Sequence, residues 1–131
     1  MANIEITNNA PFGIVLWEPV FQDEIMLATI AAGTYAAGTM LKRDGGGNLD
    51  LYDIADVATL EPVAVLAAEY VADGATAEAN RVLIAGRVRK ADMLIDNAGT
   101  PQAPSAAALD KLKAAGIIAQ DVQQLAELDN Q

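Results

Sequence analysis

Glycine recurs through the middle of this 131-residue chain in short clusters, and their spacing limits the fold more than any other feature. The clusters are Ala31-Ala32-Gly33-Thr34, Ala36-Ala37-Gly38-Thr39, Asp44-Gly45-Gly46-Gly47-Asn48 and Asp73-Gly74. Glycine and asparagine tolerate positive φ, so each cluster reads as a turn. The apolar stretches between and beyond them read as strands near residues 25–30, 39–43, 49–52, 62–71 and 81–90. In the run from Arg81 to Arg89 side chains alternate faces, which directs Val82, Ile84 and Val88 inward and Arg81, Arg87 and Arg89 to water. The run Val63-Ala64-Val65-Leu66-Ala67-Ala68 is apolar at every position, as a central or doubly covered strand requires.

The pattern differs at both ends. Residues 1–24 contain Ile4-Glu5-Ile6 and Gly13-Ile14-Val15-Leu16-Trp17, broken by Asn8-Asn9, Pro11 and Glu18-Pro19. Alternation in the first piece and β-branched residues in the second favour an extended N-terminal arm with two strand-competent segments. Residues 25–96 form the expected β core. Residues 97–131 begin with a turn-rich linker, Asn97-Ala98-Gly99-Thr100-Pro101, followed by a helix through Ala106 to Ala115, capped by Ser105 and stopped by Gly116. A last short helix is marked by Asp121 and Gln124 at capping-box spacing and by the stripe Val122, Leu125 and Leu128, which packs on the core or in a partner's groove. The fold class expected is mostly β (α+β): a small β-sandwich or barrel-like domain with a short C-terminal helical part and an extended N-terminal arm.

Composition narrows the functions open to such a domain. The chain is 53% hydrophobic, but alanine supplies much of this and aromatics only 5%, so a small core is expected, one that a partner helps complete. Cysteine is absent, which removes disulfides and thiolate ligands and fits a reducing compartment. No run of 18 apolar residues occurs and the first residues lack a basic leader, so a soluble protein made in the cytoplasm is expected. A net charge of −10 opposes nucleic acid and anionic membrane as partners. The basic clusters Lys42-Arg43 and Arg87-Val88-Arg89-Lys90 read as solvated strand ends, and the acidity suits docking on a surface with basic sites.

Catalytic chemistry finds little to use. There is no histidine and a single serine, Ser105, placed where a helix cap belongs, so Ser-His and Cys-His mechanisms are closed. Asp44, Asp50, Asp53 and Asp56 cluster, but glycines stand where a calcium loop needs oxygen-bearing side chains. The triple glycine lacks the Gly-Lys-Ser/Thr of a phosphate loop and reads as a hairpin tip. No enzyme activity, cofactor or metal is expected.

From about Ile25 to Ile118 the chain resembles the head decoration proteins of tailed phages, the family typified by the phage lambda decoration protein. The resemblance is carried by Ala32-Gly33-Thr34 with Gly38-Thr39-Met40-Leu41, by Leu51-Tyr52-Asp53, by Pro62-Val63-Ala64-Val65-Leu66, by Val82-Leu83-Ile84-Ala85-Gly86-Arg87-Val88, and by the closing segment from Leu109 to Ile118. Lys42 and Ala64 stand where the family often has glycine, and the residues after Ile118 are an addition that short members lack. The resemblance implies a capsid decoration (cement) protein. As a homotrimer it would bind the outer surface of the expanded phage head at threefold and quasi-threefold positions, on the virion, and stabilise the shell. Its N-terminal arm would add a strand to the major capsid protein by β-augmentation.

On that reading the capsid-binding residues are Ile4, Ile6, Ile14, Val15, Leu16 and Trp17, with Trp17 as anchor because buried aromatics dominate interfaces. For residues 14–17 pairing with the domain's own sheet stands as the alternative. An alternative function is a virion-surface carbohydrate-binding or host-adhesion module, although only six aromatic residues are spread over the chain.

Overall fold

The structure, a computed structural model, describes residues 15–121. Ten strands and one α-helix are described: β1 Val15–Met26, β2 Gly33–Tyr35, β3 Met40–Arg43, β4 Leu49–Leu51, β5 Pro62–Leu66, β6 Tyr70–Ala72, β7 Ala79–Arg89, β8 Ile95–Asn97, β9 Thr100–Gln102, α1 Ala106–Ala114 and β10 Ile117–Gln120. Short 3-10 turns at Ile54–Asp56 and Lys90–Asp92 link strands. The mostly β class with a short C-terminal helix is the one the glycine spacing predicts.

The main sheet runs β10–β7–β5–β3–β4, with β1 along the remaining edge of β7. β1 pairs antiparallel with β7 from Val15 opposite Val88 to Met26 opposite Ala79. β5 and β10 share the other edge of β7, β5 opposite Leu83 and Val82 and β10 in parallel from Gly86 to Arg89. One residue beyond β1, Leu27 bridges Leu49 of β4, and the Ala28 amide donates to the Leu49 carbonyl at 2.7 Å. The sheet therefore curls until its ends meet. Two small antiparallel ribbons, β2 with β6 and β8 with β9, cover parts of it.

Apolar side chains fill both sides of this sheet. Met40, Val65, Leu83 and Val88 belong to one buried cluster, which Tyr52, Met93, Ile95 and Leu112 of α1 complete. Leu41, Ala64, Leu66 and Val82 belong to a second, with Leu27, Ile30, Leu49 and Tyr70. Adjacent residues such as Leu83 and Val82 thus enter different clusters, and the apolar run from Val63 to Ala68 is covered on both faces as its sequence demands.

Several boundaries depart from expectation. The strand expected over 62–71 is two strands, because Ala67 to Glu69 turn the chain from β5 into β6. Gly33 and Thr34, read as a turn, form the start of β2. Residues 97–101 are a hairpin tip rather than a linker: Asn97 pairs with Thr100 around Ala98 and Gly99, both at positive φ. Ile84, expected inward, is 38% exposed, while Leu83 is fully buried. Simple alternation fails there because both faces are covered at 82 and 83 and Gly86, at φ 137°, breaks the register before Val88. The helix behaves as read: the Ser105 hydroxyl accepts from the Ala108 amide at 3.2 Å, and Gly116 takes φ 103° just past the end. The hairpin tip is also as read, with the Asp44 carboxylate accepting from the amides of Gly46 and Asn48. The final helix expected after Asp121 lies outside the described residues.

Candidate binding surface

β1 is the element that positions the predicted binding residues. Its first half, Val15 to Phe21, meets β7 with register shifts between Val15 and Trp17, Trp17 and Phe21, and Phe21 and Gln22. Pro19 falls inside the widest of these gaps. Its ring nitrogen has no hydrogen to give the ladder, so the irregularity sits where the sequence cannot supply a regular bond. From Gln22 to Met26 the ladder is regular, opposite Leu83 to Ala79.

The backbone positions of Val15 and Trp17 lie opposite Val88 and Arg87 of the chain's own sheet. The expected arm over 1–24 is therefore, from Val15 on, a strand of the core, since β1 runs unbroken through the boundary expected at residue 24. One edge of that strand is occupied by β7, and among the described residues no strand pairs with its other edge. Ile4, Ile6 and Ile14 lie outside the described residues. Apolar side chains stand exposed beside this edge: Phe21 is 60% and Met26 45% exposed.

The acidic residues singled out by sequence each have a local task. The Asp53 carboxylate accepts from the amides of Ala98 and Ala55, at 3.0 and 3.2 Å, and these bonds hold its pKa below the usual carboxylate value. The Asp56 carboxylate accepts from the Asp53 amide at 2.9 Å and from Lys42 Nζ at 2.7 Å. Lys42, which departs from the decoration-family pattern, thus ties β3 to the turn after β4. The Asp50 carboxylate accepts from the Leu51 amide. Among the described residues no three acidic, histidine or cysteine side chains converge to hold a metal ion.

A cleft of about 220 Å³ opens between β2 and the β8–β9 hairpin. Gly33, Thr34 and Tyr35 form one wall, and Leu94, Ile95, Asp96 and Pro101 the other. The Tyr35 hydroxyl donates to the Ala31 carbonyl at 2.8 Å, and its pKa is raised by burial first and then by the charges of Asp96 and Asp50. Asp96 accepts from the Gly99 amide at 3.1 Å across the hairpin turn. A linker over 97–101, as the sequence predicts, would leave no such cleft; the hairpin creates it. The signal was present in Ile95-Asp96-Asn97-Ala98-Gly99-Thr100, an Asx- and Gly-containing turn with strand formers on either side.

These features define the class as a small acidic β module, with a strand edge that is unpaired among the described residues and a separate acidic cleft. No protein-family model, curated protein or solved structure matches the chain.

Proposed function

We propose that this chain is a capsid decoration protein, which binds as a homotrimer to the outer surface of an expanded phage head and stabilises it. On this reading the segment that precedes β1, with Ile4, Ile6 and Ile14, adds a strand to an edge of the major capsid protein. The observation that carries the proposal is β1 itself. It is a twelve-residue edge strand, paired on one side only among the described residues, and the chain enters it directly from the apolar segment that precedes Val15. A strand so placed can extend its ladder into a partner through main-chain hydrogen bonds, with alternate side chains supplying the fit. The family motifs support the reading by their positions: Gly33-Thr34 opens β2, Met40-Leu41 opens β3, Pro62 to Leu66 is β5, Val82 to Val88 lies in β7 and Ile117 opens β10. The net charge of −10 adds attraction to a basic docking surface.

Cosedimentation of the purified chain with expanded and unexpanded capsids tests the proposal, with a chain lacking residues 1–14 alongside. Selective binding to expanded shells, weakened by the deletion while the remaining fold stays intact, is expected. If the full-length chain ignores expanded shells, the reading fails.

A further inference from the structure

We propose that the cleft between β2 and the β8–β9 hairpin receives a basic side chain, arginine above all, presented by another protein. This site is separate from the β1 edge and stands whether or not the partner is a capsid.

Shape and lining come first. The cleft, at about 220 Å³, has room for one long side chain, and Leu94 and Pro101 offer apolar surface for a methylene stem. Tyr35 also lines the cleft, and an aromatic ring there is a surface on which a planar guanidinium can stack. Charge decides the occupant. The Asp96 carboxylate lines the cleft, and among the described residues no cation pairs with it or with Asp50. Both carboxylates act on the Tyr35 phenol, so their negative potential reaches the cleft wall.

No basic side chain of the chain itself lines the cleft. All eight of the chain's lysines and arginines lie between Lys42 and Lys113. Lys42, Arg89 and Lys111 are held by Asp56, Asp92 and Glu61. Residues 1–14 and 122–131 contain neither lysine nor arginine. A basic side chain in the cleft must therefore come from a second molecule.

The test is a titration of the ¹⁵N-labelled full chain at low salt with acetyl-Gly-Arg-Gly-amide, and with acetyl-Gly-Gln-Gly-amide as the uncharged control. Saturable amide shifts confined to Gly33, Thr34, Tyr35, Leu94 and Gly99 are expected, with binding ~tenfold weaker for the glutamine peptide, the scale of one charge-assisted contact. Asp96→Asn keeps an acceptor for the Gly99 amide and removes the charge, and should weaken arginine binding to the glutamine level. Ala36→Leu keeps the charge and fills the cleft, and should weaken both peptides, so the prediction survives should either variant fold poorly. Equal response to the two peptides, no shifts at tens of millimolar, or binding unchanged in Asp96→Asn would each overturn the proposal. The same shifts on concentrating the protein alone would overturn it in favour of a second copy.

Discussion

Ala98 is the described residue that pays most visibly for its place. It sits at φ 51° without being glycine, held there by the two-residue turn between β8 and β9. A Cβ in that region meets the neighbouring carbonyl, at a cost of about 1 kcal/mol. Ala98→Gly should therefore raise the unfolding free energy by about 0.5 kcal/mol at most in urea melts, since the added chain entropy offsets much of the strain relieved. The same residue's amide donates to Asp53, which leads to a pH effect. Asp53 has a folded pKa below its ordinary value of 3.8, so between the two values the unfolded chain binds more protons. The stability it contributes is complete above 3.8 and is lost as pH falls through the folded value. Thermal melts from pH 5 to 2 should show a shallower acid loss for Asp53→Asn than for the unaltered chain. At this scale the sequence was informative where a side chain serves its own neighbourhood, as Ser105 and Asp44 do. It was silent on the bond between Asp53 and the Ala98 amide, whose ends lie 45 positions apart.

For whole elements, legibility depended on how many faces are covered. Glycine clusters and apolar runs located β3, β4 and β7 to within a few residues, and the start of β5, because turn chemistry is local. Which side chains of β7 face inward was not legible. Alternation separates core from solvent only in a sheet with one wet face, and here both are covered at Val82 and Leu83. The consequence is measurable. Leu83→Ala should cost about 3 kcal/mol in denaturant unfolding, as truncation of a fully buried leucine does, whereas Ile84→Ala, at a site 38% exposed, should cost about 1 kcal/mol. A reversed order would mean that the inward face follows the simple alternation after all. The candidate site divided in the same way. The apolar arm was legible as a strand-competent segment, but its continuation into β1 past Pro19 was not, since a bulged edge strand tolerates a proline that a central strand excludes.

Across the whole molecule, two clusters on the two faces of one curled sheet form the interior, with no tryptophan or phenylalanine among the described buried residues. Leucine, methionine and the buried Tyr52 and Tyr70 supply the bulk instead. The long-range closure through Leu27 and Leu49 had no sequence signal, because a single bridge between distant residues leaves no periodicity. The open edge and the acidic cleft are carried by different elements, β1 on one hand and β2 with the β8–β9 hairpin on the other. Loss of one should leave the other intact.

The ladder has one further effect. Val15 and Ala119 lie opposite the same residue, Val88, on its two sides, so the chain enters and leaves the described fold at one end of β7. Two strand spacings separate these points, ~10 Å. Topologically the described fold is close to a ring with a small gap, and the gap can be moved. A circular permutant that joins residue 131 to residue 1 and opens new ends within the Gly45–Gly47 tip, where an added Cβ would meet no crowding at Gly45 or Gly47, should retain the native circular dichroism spectrum and a cooperative melt. Attached cargo would then leave from the β3–β4 tip instead of from beside Val88.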